Sequence, residues 1–404
     1  MPPIPPDEAW QRIAARLSPL AVESAARRAA AGRVLARDLP ATVDVPAADV
    51  SAMDGYAVAG EVRPGERRPV AGTIAAGDPP GFELAPPAAV RIMTGAPLAS
   101  GADRVIPVEA TDGGRDEVLF HAGAKPGENV RRRGEILQAG DPLLPAGSRL
   151  TPGALALLVT HGYVSLPVHR APSVSVLTTG DEVVPPERAP APGQLRDSNT
   201  DFLLAAGAGL GLHFTSLGIA PDRVDALRSL ISKGLQSDVL LLCGGVSMGE
   251  FDLVEGVLAD LGCEAVFDGV AIQPGKPLVF AVAPEGRLVF GLPGNPASVM
   301  VGFWLFVRPA LHRLMGIADS WWGTALAGTL DAPLPGAGNR DRFLPAELNL
   351  RGGEIGVTPA PPKGSHDLAA YACGTALVRV KAGAPPAPAG ERCEVLMVAA
   401  PPGP

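Results

Sequence analysis

Three short segments between them carry glycine, hydroxyl and carboxylate groups. They are Thr179-Gly180-Asp181-Glu182, the run from Gly244-Gly245 through Ser247 and Gly249 to Asp252, and Gly291-Leu292-Pro293-Gly294-Asn295-Pro296. Each follows an apolar run that reads as a β-strand, and the last two lead into helical patterns. Glycine lets backbone N–H groups approach an anion closely, and a helix N-terminus adds its dipole. Any one of these turns alone reads as an ordinary tight βα turn. Three on one sheet edge, with Asp181, Glu182 and Asp252 placed together there, favour a site.

Other residues are more ambiguous. Lys276 stands between Pro274 and Pro277, just before a strand; it reads either as a fixed point charge for an anion or as a solvated loop lysine. Arg131-Arg132-Arg133, flanked by Glu128 and Glu135, reads as a solvated basic turn. Asp54-Gly55 and Thr94-Gly95 each follow a methionine and would ordinarily be hairpin turns. Gly244 to Gly249 has P-loop glycine spacing, but Glu250-Phe251 stands where Lys-Ser/Thr is required. The glycines at 207, 209 and 211 precede a strand, which disfavours a dinucleotide fingerprint, and neither GxSxG nor HExxH occurs.

The elements that must position these residues follow from the pattern. A helix is expected from Pro6-Asp7-Glu8 with Trp10, Ile13 and Leu17 on one face, and a second helical turn around residues 22–31. Residues 42–144 hold short apolar pieces between Pro and Gly, which predicts a compact β-rich domain. A helix is expected over 151–160. From 172 to about 315 strands alternate with helices: strands at 174–178, 213–219, 239–242, 278–282 and 288–291, and helices at 199–208, 222–235, 251–261 and 296–314, with Ser198 or Asn199 capping the first helix and Asp222 the second. This predicts a doubly wound, mostly parallel sheet whose ligand lies beyond the carboxyl ends of its strands. Strand-like pieces at 324–330, 355–358, 376–380 and 393–398 predict a small all-β C-terminal domain.

Composition sets outer bounds. The chain has 404 residues, enough for two to four domains, with 47% hydrophobic and 19% charged residues, so a sizeable core is available. The net charge of −8 disfavours nucleic-acid binding and adhesion to anionic membranes through a global basic field. Four cysteines without a CxxC pair, and few histidines, suggest neither a zinc site nor a disulfide framework. No signal-peptide pattern and no membrane-length apolar run occurs, so a soluble cytoplasmic protein is expected.

SAMDGYAV (51–58), RIMTGAP (91–97), NVRRRGE (129–135), TGDE (179–182), GGVSMG (244–249), PGKP (274–277) and GLPGNP (291–296) together resemble the molybdopterin molybdenumtransferases, the MoeA and gephyrin E-domain family, and Gly364-Ser365-His366 extends the likeness. The resemblance implies a four-part, α/β multidomain subunit that forms a homodimer. Its parts would be a helical linker and dimerisation domain at 1–41 and 145–171, a β-rich domain at 42–144, an α/β molybdopterin-binding domain at 172–318 and a C-terminal β domain at 319–404. It further implies insertion of molybdate into adenylylated molybdopterin with release of AMP, assisted by Mg²⁺. Other proteins of molybdenum-cofactor biosynthesis would be further partners.

Carried over by motif, Asp54 and Thr94 belong to a wall supplied by the partner subunit. Asp181, Glu182 and Asp252 would be catalytic and hold Mg²⁺, with Asp252 tied to cleavage of the adenylate. Gly180, Gly244, Gly245, Ser247, Gly249, Pro293, Gly294, Asn295 and Pro296 would bind substrate. Ser247, Lys276, Arg340 and Ser365 match positions associated with the oxyanion. The chain departs from the family at Gln273, where a lysine is common, and at Pro345, where a second basic residue is common; Arg342 could substitute for Arg340. A non-catalytic gephyrin-like scaffold and a tungstate-specific insertase are the alternative functions; the absence of a long linker or fused second module disfavours the scaffold.

Overall fold

A computed structural model describes residues 2–245 and 253–399. The chain divides into two compact units. One comprises Met1–Ala25, Gly32–Ala36 and Pro167–Pro404; the other comprises Ala26–Ala31 and Arg37–Leu166.

The larger unit is built on a six-stranded sheet in the order Phe214–Ala220, Val174–Thr179, Val239–Cys243, Leu288–Leu292, Val279–Val282, Glu264–Phe267. The first four strands run parallel. Val279–Val282 runs antiparallel to Leu288–Leu292, and Glu264–Phe267 runs antiparallel to Val279–Val282. Alternate residues of the central strand enter two different cores. Val239, Leu241 and Cys243 pack with Leu203, Val299 and Phe303, while Leu240 and Leu242 pack with Leu227, Ile231 and Val254. Helices therefore cover both faces, which is why this strand is apolar at every position instead of alternating. The helix Pro6–Ala14 adds Ala9, Trp10 and Ile13 to the first core. The apolar run from Pro296 is a continuous helical stretch to Leu314 with a π-helical segment at Phe303–Val307.

The same unit holds a second sheet that closes on itself. Asp341–Arg351 pairs with Glu354–Pro359 and, over its first half, with Ala376–Val380; Leu326–Leu330 and Arg392–Met397 complete the ring. Ile272–Gln273 adds to it beside Asp341 and Arg342. The long strand Asp341–Arg351 was not foreseen, because it carries Pro345, a residue rare inside strands. Here Pro345 lies where the strand changes partner, and its carbonyl accepts from the Ala360 N–H (2.9 Å).

The smaller unit carries a five-stranded sheet in the order Arg104–Pro107, Gly55–Val58, Ala89–Ile92, Arg67–Ile74, Glu117–Leu119. The helix Pro152–Thr160 is capped by the Thr151 hydroxyl, which accepts from the Ala154 N–H.

Three local expectations are overturned. The helical turn expected at 22–31 is a strand, Val22–Ala26, paired with Ser165–His169. Only Ala25 is buried along it, so no apolar stripe exists to support a helix. Asp222 does not cap the next helix, which begins at Val224 after Arg223 with no side-chain cap. Likewise Asp197, not Ser198 or Asn199, caps the helix Asn199–Gly209. Its carboxylate accepts from the N–H groups of Asn199 (3.0 Å) and Thr200 (3.1 Å) and from the Thr200 hydroxyl (2.6 Å).

Candidate functional site

The strand-end glycines are required by geometry. Gly180 has φ +135°, and a Cβ there would lie 2.6 Å from the Glu182 carboxylate. Gly244 (φ +89°) would put a Cβ 2.7 Å from the Thr179 carbonyl oxygen. Gly245 (φ +62°) would put one 2.6 Å from Val254 and 2.8 Å from the Thr179 hydroxyl. Two of these glycines do not serve as the anion donors expected from them. The Gly244 N–H donates to Leu292 (3.0 Å) and the Gly180 N–H to Ala220 (3.3 Å). Among the described residues the Thr179 hydroxyl, buried beside Gly244 and Gly245, has no hydrogen-bond partner. The third turn is tied to the first helix of the sheet: the Asn199 side-chain amide donates to the Gly294 carbonyl (2.9 Å).

These turns open onto a cavity of about 670 Å³ lined by Thr179, Gly180, Glu182, Asp222, Gly244, Gly245, Gly294, Asn295, Pro296 and His366, among others. Asp181 instead lines a neighbouring hollow of about 470 Å³ with Asp201 and Ser216. The two adjacent acids of the TGDE segment thus diverge. Two carboxylates join Glu182 in the large cavity: Asp197, whose oxygens are taken up in capping the helix Asn199–Gly209, and Asp222, just past the end of the edge strand. Asp181 and Asp222 clasp each other: the Asp222 N–H donates to the Asp181 carboxylate (3.1 Å), and the Asp181 N–H donates back (3.4 Å). Partial desolvation at the cavity edge, reinforced by the charges of Asp181 and Glu182, holds the exposed Asp222 carboxyl above its ordinary range, against the pull of the Asp181 N–H. Applying the strand-end rule to the edge strand would have found Asp222.

A second cavity, of about 300 Å³, borders the closed sheet. It is lined by Gln273, Lys276, Pro293, Asn295, Arg340, Arg342 and Ser365, among others, and the described residues bring three cationic side chains to it and no carboxylate. Lys276 is presented by a tight turn in which Gly275 has φ +106° and the Lys276 carbonyl accepts from the Val270 N–H (2.9 Å). Register places Gln273 opposite Arg342. Arg340 and Arg342, two residues apart, both reach the cavity, so one arginine does not replace the other. Among the described residues no hydrogen bond or ion pair engages the side chains of Lys276, Arg340 or Ser365. Asn295 borders both cavities.

In the smaller unit, Asp54 and Thr94 meet. One Asp54 oxygen accepts from the Thr94 N–H (2.6 Å) and hydroxyl (2.8 Å), and these two bonds hold the Asp54 carboxyl below its usual range. Gly55 does not form a hairpin turn. It starts a strand, where a Cβ would lie 2.0 Å from the Ile106 carbonyl oxygen. The arginine turn is not simply solvated either: Arg132 pairs with Asp49 (2.6 Å) and Arg133 with Asp44 (2.5 Å), and the Arg133 N–H donates to Asp49 (2.8 Å). Ser247, Gly249 and Asp252 lie outside the described residues. Among the described residues no group of three or more His, Cys, Asp or Glu side chains is placed to hold a metal ion.

Comparison with known proteins covers nearly the whole length. A family described as the MoeA N-terminal region (domain I and II) matches residues 4–162. One described as a probable molybdopterin binding domain matches 175–313. The MoeA C-terminal region (domain IV) matches 327–398. The molybdopterin molybdenumtransferase of Nostoc sp. (strain PCC 7120) is 38% identical over 332 residues, spanning 80% of this chain and 76% of its own. That of Bacillus subtilis (strain 168) is 33% identical over 408 residues, spanning 98% and 94%. The crystal structure of the molybdopterin biosynthesis MoeA protein from Pyrococcus horikosii superposes with a TM-score of 0.82 at 33% identity, over 98% of this chain and 99% of that one.

Proposed function

Since the chain belongs to the molybdopterin molybdenumtransferase family, we propose that it inserts molybdate into adenylylated molybdopterin and releases AMP. One observation carries this reading beyond the likeness: a cavity to which the described residues bring three cations and no carboxylate adjoins a larger one with acidic groups, and Asn295 borders both. Molybdate is a tetrahedral dianion, and Lys276, Arg340, Arg342 and Ser365 offer it charge-assisted donors. The nucleotide and pterin occupy the larger cavity, where the Thr179 hydroxyl has an unspent donor.

Mg²⁺ fits this larger cavity. It uses one or two carboxylates and keeps several waters, so it does not need a three-carboxylate cage. Of the three described carboxylates that line it, Asp197 is spent on capping a helix, so Glu182 and Asp222 would hold the ion, with Asp252 as a further acid expected from sequence; a Mg²⁺ there would offset the charge of the phosphoanhydride. The like-charge strain on Asp222 is what a cation relieves.

A homodimer is part of the proposal. The helix Pro152–Thr160 contains no charged residue and buries only Leu158, so Leu155 and Val159, one turn apart on the same side, offer an apolar face to a second copy. Asp54 and Thr94 are then read as the partner's contribution to each site.

The test is AMP release and molybdopterin-bound metal measured with adenylylated molybdopterin and either molybdate or tungstate. Molybdate-dependent AMP release is expected. Turnover with tungstate alone would make this a tungstate insertase, and turnover with neither would overturn the reading.

A further inference from the structure

Between the two arginines of the basic cavity stands a carboxylate, Asp341, that does not border it. Asp341 is buried, and its charge is spent elsewhere. Arg379, on the adjoining strand Ala376–Val380, donates through Nε to Asp341 Oδ2 (2.7 Å) and approaches the same oxygen through its terminal nitrogen (2.6 Å). The Ala382 N–H donates to Asp341 Oδ1 (2.9 Å). Both ions of the pair are nearly closed to water, with side-chain exposures of 14% and 10%. The Arg379 guanidinium lies over the Trp321 ring, 4.6 Å from its centroid. The Asp341 backbone also anchors the Lys276 segment, since its N–H donates to the Ala271 carbonyl (3.1 Å).

We infer that Arg379 is a positioning residue for the anion: it neutralises Asp341, so that Arg340 and Arg342 stay available to the cavity. The strand places one acid between two bases, and an uncompensated carboxylate buried there would attract either arginine or oppose the incoming dianion. Arg379 removes that competition from behind, held over the indole and by one hydrogen bond and one ion-pair contact to the same oxygen. This deepens the oxyanion reading proposed above and rests on it.

The experiment is the rate of insertion against molybdate concentration, and separately against adenylylated molybdopterin, for five proteins: wild type, Arg379→Met, Asp341→Asn, Asp341→Asn/Arg379→Met and Lys276→Ala. Arg379→Met should raise the half-saturating molybdate concentration at least tenfold and leave that for the nucleotide substrate within twofold. Removing both charges together should bring the molybdate value back to within threefold of wild type. Asp341→Asn alone, the mildest change, should leave it unchanged or lower. An unchanged Arg379→Met value, or no recovery in a folded double variant, overturns the inference and makes the pair a packing element. If Arg379→Met does not fold, a fivefold or greater rise in Asp341→Asn does the same. Lys276→Ala checks the underlying reading: if it leaves the molybdate dependence untouched, the cavity is not the oxyanion site, and the role given to Arg379 falls with it.

Discussion

Lys276 carries the one lysine ammonium bordering the basic cavity, with uncharged Gln273 beside it. A charge-assisted hydrogen bond contributes about 1.5–3 kcal/mol, which is about a tenfold or larger change in binding. Gln273→Lys should therefore lower the molybdate concentration for half-maximal insertion, and Lys276→Ala should raise it by about tenfold or more, with binding of the adenylylated pterin nearly intact. Loss of pterin binding with an unchanged molybdate dependence would make Lys276 a phosphate ligand instead. Asp222 supports a test with a different readout. Its carboxyl titrates above its unfolded value, so the fold binds that proton more tightly than the open chain does. This contribution is unfavourable once pH exceeds the raised value, and it vanishes below the unfolded value of about 3.9. Asp222→Asn should thus raise the melting temperature at pH 7, with a difference that shrinks as pH falls through the carboxylate range. Mg²⁺ should stabilise the wild type and have a much smaller effect on the variant. An equal Mg²⁺ shift in both proteins would remove Asp222 from the metal site.

At the scale of elements, the end of the sheet opposite the site is clamped by one carboxylate. Asp238 opens the central strand and is held by Arg170 (2.6 and 2.8 Å), Arg287 (3.0 Å), and the Ser173 N–H (2.8 Å) and hydroxyl (2.7 Å). Ser173 and Arg287 precede the two neighbouring strands, so one side chain gathers three strand starts. Burial alone would raise the Asp238 pKa, but the Arg170 pair and the Ser173 bonds outweigh it and hold the carboxyl far below the usual range. The stability this gives is present above the unfolded pKa and is lost as pH falls toward the folded one. Asp238→Asn should cost about 3 kcal/mol at neutral pH, the low end for breaking a buried ion pair, because both arginines remain partly open to water. The loss should be read by denaturant melts and should fade in strong acid; a pH-independent loss would point to packing instead. The strands gathered here were legible in the sequence because a strand buried on both faces is a short apolar run, and Val239–Cys243 is one. Asp341–Arg351 was not legible, because its charges and Pro345 mask a strand that pairing across a closed sheet sustains. The strand Val22–Ala26 was misread for the converse reason: its alanines favour a helix, and its partner lies about 140 residues away, beyond any local signal.

At the scale of the whole molecule, the residues read as chemistry fall into two compact units, with Asp54 and Thr94 in one and Glu182, Asp222, Lys276 and Arg340 in the other. Spacing draws out Glu182 and Lys276 and marks the glycine-led turns that carry Asp54 and Thr94, whereas Arg340 enters only through the family resemblance and Asp222 reads as a helix cap. Spacing could not say whether one chain or two supply a site, because that depends on a symmetric interface. Mixing variants separates the cases. Asp54→Ala and Asp252→Ala should each be inactive alone. In a heterodimer with composite sites, one site carries both substitutions and the other carries neither. An equimolar mixture with free exchange is half heterodimer, so about a quarter of all sites should regain insertion activity. If each site is built from a single chain, every site keeps one lesion and nothing returns. Subunit exchange must be followed independently, by mass-tagged subunits, so that an absence of recovery counts against the composite site and not against mixing. Val159→Glu, on the apolar face of Pro152–Thr160, supplies the matching arm. It should shift the protein toward monomer in sedimentation and abolish insertion, while leaving molybdopterin-nucleotide binding by the larger unit measurable. A monomeric variant with full activity would show that each chain completes its own site.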